Sequence, residues 1–242
     1  MPQFTQTDQR PTAGSLAHPM EARQPESISG MVDLSHTVFD GLLTYKGLPP
    51  PVITDYMSRT DSRKFYTDGT EFHIGRIDMV ANTGTYLDSP FHRYEGGKDL
   101  SELPLEKLAD LPGICIRPKR FPVDCDAFEN NDVAGRAVLV DTGWSAHWRT
   151  DQYFEHAPFL TESAARFLVQ NKAALVGIDS VNIDDMNDKR RPVHSILLQN
   201  EIPIVEHLTN LSCLPSHGFR FFAIPVKVKA FGTFPVRAFA IP

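Results

Sequence analysis

The chain has 242 residues, 41% of them hydrophobic, which is the length of one large domain and enough apolar material for a sizeable core. A formal net charge of −6, with no basic run longer than Lys189-Arg190-Arg191, leaves no electrostatic footprint for nucleic acid. The longest apolar stretches, such as 137–140 and 219–226, fall far short of the roughly 20 residues a bilayer span needs, so no membrane span is expected.

Residues 1–29 hold Pro2, Pro11, Pro19 and Pro25 and little that could enter a core, the composition of a mobile arm. They lack the basic start and apolar stretch of a secretory signal, which points to a cytoplasmic location. Residues 30–242 are read as a single α/β domain. Candidate strands fall at 31–34, 72–79, 113–116, 137–140, 174–178, 202–205, 219–228 and 236–241. The runs at 137–140 and 174–178 are almost continuously apolar, as in strands buried on both faces. Lys227, Lys229 and Arg237 instead give the last two a half-exposed alternation.

The clearest helix spans 161–171. Thr161 can cap it, Glu162 complements its dipole, and Ala164, Ala165, Phe167 and Leu168 gather on one side. It leads straight into 174–178, so with 137–140 it forms one βαβ unit, and the sheet is expected to be mixed. Cys115, Cys125 and Cys213 contain no C-x-x-C pair and indicate neither a disulfide framework nor a cysteine zinc site. Cys115 and Cys213 lie in apolar sequence and are expected to be buried.

The stretch richest in chemistry is Asn82-Thr83-Gly84-Thr85-Tyr86-Leu87-Asp88-Ser89-Pro90-Phe91-His92. In an extended chain, residues two apart share a face, so Asn82, Tyr86, Asp88 and His92 would point one way and Thr85, Leu87 and Phe91 the other. Pro90 favours an extended course, and Gly84 permits close approach of a ligand or another backbone. An amide, a phenol, a carboxylate and an imidazole on one face can support acid–base or metal-assisted chemistry. The competing reading is a solvated polar edge strand.

A second polar cluster follows the run at 174–178: Asp179, Ser180, Asn182, Asp184 and Asp185, then His194, Glu206 and His207. Loops leaving the carboxyl ends of buried strands commonly hold ligands. Asp184-Asp185-x-Asn187 hints at calcium, but the glycine and terminal glutamate of an EF-hand loop are missing. His194 opens a helical run, where one histidine is more often a local hydrogen-bonding group than a ligand. Trp144, His147 and Trp148 either wall a substrate pocket or form a packed aromatic corner.

The segment 82–92 resembles the H-x-G-T-H-x-D-x-P-x-H signature of the cyclase family, which includes bacterial kynurenine formamidases and isatin hydrolases. Gly177-Ile178-Asp179-Ser180, His194 with Leu197-Leu198, Ile204-Val205-Glu206-His207, Ile224-Pro225-Val226-Lys227 and Pro235-Val236-Arg237-Ala238 follow in the family order. The resemblance implies a swivelling β/α/β domain with a mixed sheet. It also implies a homodimer and a zinc or manganese centre that activates water to open an amide or lactam. By this match Asp88 is a metal-binding carboxylate, His92 the general acid/base, and His194 and Glu206 ligands of a second metal. Two signature histidines are replaced, by Asn82 and Tyr86. An amide oxygen is a weak ligand and a phenol must first lose a proton.

The expectation is therefore at most one divalent ion, zinc or manganese, on Asp88, His194 and Glu206. The chain would be a hydrolase of a small cyclic or aryl amide, lactam or lactone, using metal-activated water with His92 as general base. Asn82, Tyr86, Trp144 and His194 would contact the substrate. A metal-independent cyclase or lyase using Tyr86, Asp88 and His92 for proton transfer is the alternative, and a non-catalytic small-molecule-binding relative is the third possibility. No G-x-S-x-G nucleophile motif is present.

Overall fold

A computed structural model describes residues 30–242; the arm expected at 1–29 lies outside the described residues. Eleven strands are found among them: β1 (Val32–Asp33), β2 (Val52–Met57), β3 (Ile74–Asp78), β4 (Tyr86–Asp88), β5 (Leu111–Ile116), β6 (Ala137–Val140), β7 (Leu175–Ile178), β8 (Ile204–Glu206), β9 (His217–Phe222), β10 (Thr233–Pro235) and β11 (Phe239–Ile241). The helices are α1 (Arg59–Ser62), α2 (Glu162–Gln170) and α3 (Pro192–Gln199). Nine strands form one sheet in the order β1-β11-β9-β5-β6-β7-β8-β4-β10. The central run β5-β6-β7-β8 is parallel, and antiparallel strands complete both sides.

The parallel centre follows from the apolar runs. β6 and β7 are buried throughout and pair in parallel through the crossover helix α2, which Thr161 caps by accepting a hydrogen bond from the amide of Ala164. The side chains split by pleat. Ile114, Ile116, Val138, Val140, Val176, Ile178 and Ile204 face α2 and α3, while Cys115, Leu139, Leu175 and Val205 face the opposite side. There they join Leu87 of β4 and Phe221 and Ala240 from the far side of the strand order, so the sheet curls around a second apolar layer.

Several elements differ from the sequence expectation. The strand expected at 219–228 ends at Phe222, ahead of Pro225, which has no N–H to offer a ladder. The last strand begins at Phe239 rather than 236, and 72–79 contracts to Ile74–Asp78. Its partner β2 follows three prolines and was not foreseen; the two make a separate hairpin that is exposed along almost its whole length. Cys115 is buried as expected, with its thiol pushed up to about 12 by desolvation, but Cys213 is exposed on the turn after Asn210. Residues 82–92 are not one extended strand either. Extended pairing covers Tyr86–Asp88 alone, and Pro90 opens a tight 3-10 turn, Pro90–His92, at a position that does not require its missing N–H.

Candidate active site

Strand register assembles the site. In the antiparallel ladder of β4 with β8, Tyr86 lies opposite Glu206, and the phenol donates to Glu206 Oε2 at 2.6 Å. On the other side of β4, β10 places Thr233 opposite Asp88, whose Oδ1 accepts from the Thr233 hydroxyl. Tyr86 and Asp88 share a face of β4, as the spacing of two demands. His92 reaches the same place by the Pro90–His92 turn rather than by the pleat. Gly232 makes that turn possible, because a Cβ there would lie 2.5 Å from the His92 backbone. Gly84, by contrast, is left-handed (φ +66°), and a Cβ there would lie 2.8 Å from Val38 Cγ2.

The tautomer of His92 follows from the bonding. The single proton of the Thr233 hydroxyl goes to Asp88, so His92 Nδ1, 2.7 Å from Thr233 Oγ1, must be the donor in that contact. Its Nε2 is left with a lone pair. Asp88 is fully buried, and burial alone would raise its carboxyl. The opposing influence of His92, His194 and Thr233 outweighs that and holds it below its ordinary value.

His194 enters from the first turn of α3. Asp184 organises that turn: Oδ1 accepts from the amide of Val193 (2.7 Å), and Oδ2 accepts from the amide (3.0 Å) and Nδ1 (2.6 Å) of His194. With Nδ1 donating to a carboxylate, Nε2 faces Asp88 Oδ2 and Glu206 Oε1, each 3.6 Å away. Those distances are too long for hydrogen bonds. Asp88 Oδ2 has no hydrogen-bond partner although it is buried. Burial lowers the affinity of His194 for a proton, but Glu206, Asp184 and Asp88 overcome this and raise it to about 10. Glu206 is raised to about 7, chiefly by desolvation and against the pull of His194. Three buried carboxylates thus surround one imidazole, and even a protonated His194 cannot balance them.

This donor set fits a divalent cation. Among the described residues, Asp88, His92 and His194 each offer a ligand atom within 4.8 Å of the others, a group that contains His92 and not the Glu206 expected from the sequence, although Glu206 Oε1 lies 3.6 Å from His194 Nε2. The 3.6 Å separations approach the roughly 3.4 Å edge between two ligands about 2.1 Å from a tetrahedral ion. Asp184 behind His194 Nδ1 is the carboxylate–histidine arrangement that orients a metal ligand. Tyr86 is no ligand in this state: desolvation, then the charges of Glu206 and Asp88, push its phenol well above 10 and keep it protonated.

Tyr86, His92, His194 and Glu206 line a cavity of about 420 Å³ with Asn82, Asn182, Tyr45, Lys46, Arg93 and Arg191. Trp144 does not line it; its indole donates to the carbonyl of Tyr153 (3.0 Å) and its ring packs edge-on to His147. Trp148 joins a different group behind Tyr86, stacked on His36 at 4.0 Å and edge-on to Tyr153 and His207. His207 Nδ1 bonds the Tyr153 hydroxyl (2.8 Å), while Nε2 of both His207 and His36 has no partner. Desolvation lowers His36 to about 4 and His207 to about 3.

Sequence reasoning had named Asp184 in a polar cluster without a role; its spacing of ten from His194 carries no recognisable signal. It missed Thr233, which arrives 141 residues after His92 through sheet pairing alone. Arg93 and Arg191 were also overlooked.

The chain matches the family model described as “Putative cyclase” over residues 32–185. An uncharacterized protein of Methanocaldococcus jannaschii is 30% identical over 175 residues, covering 70% of this chain and 83% of that protein. The kynurenine formamidase of Bacillus cereus is 24% identical over 215 residues, covering 88% and 98%. A structure described as a potential metal-dependent hydrolase with cyclase activity superposes at TM-score 0.71 with 27% identity, covering 87% of this chain and 96% of the other. An isatin hydrolase bound to the product analogue thioisatinate shares the fold, with TM-score 0.71, 21% identity and coverage of 87% and 91%. With its mixed, curled sheet and its family match across well over half of its length, the chain belongs to the cyclase family.

Proposed function

We propose that the chain is a metal-assisted hydrolase that opens a small cyclic or aryl amide, lactam or lactone. The observation that carries this is the buried, partnerless Asp88 Oδ2 facing His194 Nε2 in a site short of positive charge. Asp88 and His194 would hold one divalent ion, zinc or manganese, with Glu206 beside them. When bound there, the ion supplies Lewis acidity toward the substrate carbonyl and lowers the pKa of water.

The protein's own groups account for the remaining steps. His92, its proton fixed on Nδ1 by the Thr233–Asp88 chain, presents Nε2 as the base that removes a proton from the attacking water. The resulting imidazolium, 3.6 Å from Asp88 Oδ1, can return that proton to the leaving nitrogen or oxygen. Tyr86 is engaged with Glu206 and holds that carboxylate in place, while Asn82, which bonds the Tyr86 hydroxyl and lines the cavity, would offer its remaining amide hydrogen to the substrate carbonyl. Relatives named as kynurenine formamidases and isatin hydrolases support the reaction class.

The protonated Tyr86 favours a second reading, metal-independent proton transfer in a cyclase or lyase, because it is a donor where the family signature has a metal-binding histidine. Turnover of an aryl formamide before and after chelation separates the two. Activity lost on chelation and restored by zinc or manganese supports the hydrolase. Turnover undiminished by a chelator that strips the protein would sink it.

Assembly as a homodimer belongs to the same proposal, supported by the exposed Val52, Tyr56, Ile74 and Ile77 of the β2–β3 hairpin. Light scattering that gives a monomer mass at micromolar concentration would remove it.

A further inference from the structure

Two guanidinium groups line the cavity without a carboxylate at ion-pair distance among the described residues, although the charge of Asp188 acts on Arg191 from farther away. Arg93 directly follows His92, and Arg191 directly precedes α3. Arg93 Nε donates to Ser195 Oγ (3.1 Å), and its guanidinium carbon lies 5.4 Å from the centre of the Tyr94 ring. Arg191 Nη1 donates to Asn182 Oδ1 (2.9 Å) and, at 3.5 Å, to the carbonyl of Asp185. All these partners are neutral, and neither arginine forms an ion pair among the described residues. Neighbouring charges are otherwise occupied: Arg190 clasps Asp188, and Lys46 pairs with Asp151 at 3.1 Å.

The two arginines are positioned together. Ser195 Oγ accepts from Arg93 and donates to the Arg191 carbonyl (2.8 Å), tying both to the first turns of α3, the helix that carries His194. Arg191 is held at φ 51°, ψ 58°, a left-handed conformation that long side chains seldom adopt and that tends to occur where position matters more than local stability. Charge also changes sign across the cavity. Its buried members include Glu206, with Asp88 next to it, whereas half-buried Arg191 and exposed Arg93 are cationic.

We propose that Arg93 and Arg191 form an anion subsite that selects substrates bearing a carboxylate remote from the bond that is cleaved. A guanidinium fork matches a carboxylate in plane and in charge, and here Asn182 and Ser195 orient the forks beforehand. The inference rests on the hydrolase reading of Asp88, His92 and His194, because it assigns the other end of the same substrate.

The test has a binding arm that needs no turnover. Benzoate and benzamide are titrated calorimetrically into the full chain, stripped of metal and loaded with zinc, as wild type, Arg191→Gln and Arg93→Gln. The wild type should prefer benzoate in both states, and that preference should shrink roughly 10- to 100-fold in each variant. No preference in wild type, the same preference in both variants, or a preference confined to loaded protein and indifferent to the substitutions would overturn the subsite. Should Arg191→Gln not fold, Arg93→Gln, on an exposed side chain, and Arg191→Lys still decide it. In the kinetic arm, 4-formamidobenzoate is compared with formanilide, and the ratio of their kcat/KM values should collapse in the variants through KM. If wild type turns over neither compound, the hydrolase reading fails while the calorimetry still judges the subsite.

Discussion

Glu206 and His207 are consecutive, both fully buried, and they open onto two neighbouring histidine environments with opposite charge behaviour. On the Glu206 side, His194 sits among Asp88, Asp184 and Glu206, and its proton affinity rises to about 10. Behind Tyr86, His207 sits among Tyr153, Trp148 and His36, and its affinity falls to about 3. Burial acts on both in the same direction. The partners decide the outcome: around His194 the carboxylates outweigh desolvation, whereas around His207 desolvation, reinforced by His36, outweighs the charge of Asp88. One environment attracts a cation, and the other keeps its imidazoles neutral and helps hold Tyr86 in place.

The comparison breaks most readily at His92. His92→Ala should lower kcat/KM for an aryl formamide by roughly 100- to 10,000-fold, the span typical of a lost general base. A drop of less than fivefold, with folding intact, would remove His92 from the chemistry. Acid stability probes the aromatic side. His36 and His207 are held below their unfolded value of 6.5, so between that value and about 4 the unfolded chain binds more protons than the folded one. Their contribution is complete above about pH 6.5 and lost as pH falls, by roughly 3 kcal/mol for His36 alone on reaching pH 4. Because Glu206 and His194, with raised proton affinity, gain stability over the same interval, urea unfolding of wild type and His36→Gln at pH 7.5 and 4.5 measures it as the difference between the two, and an equal pH shift in both would show that His36 is not held neutral. The smallest effect sharpens the acidic side. Thr233→Val removes the hydroxyl between Asp88 and His92 and should cost about 1 kcal/mol, roughly fivefold in kcat/KM. Steady-state kinetics of the folded variant measure it, and an unchanged kcat/KM would remove Thr233 from the chain that orients His92.

How much of this could be read beforehand depended on whether the determinant was local. The β6–α2–β7 unit was legible because apolar runs and a capping Thr161 are properties of neighbouring residues. Asp88 and His92 were legible in the spacing of 82–92 and His194 and Glu206 only through the family resemblance, and the structure brings the four together. The continuous extended strand 82–92 was misread because alternation does not reveal where Pro90 turns the chain. Thr233, Asp184 and the two arginines depend on register and on a helix start, which no local pattern encodes. Trp144 was drawn into the pocket by its residue type, but its indole is committed to the Tyr153 carbonyl.

The central claim is that the acidic environment around His194 holds a divalent cation, and metal stoichiometry tests it most directly. The full chain, purified without added metal and then loaded with zinc or manganese, is analysed by mass spectrometry of the elements and by titration, alongside His194→Ala and Asp184→Asn. The account predicts one ion per wild-type chain, loss of that ion in folded His194→Ala, and affinity weaker by roughly 10- to 100-fold in Asp184→Asn. A wild-type chain that takes up no ion, or a His194→Ala chain that holds it as tightly as wild type, would contradict it.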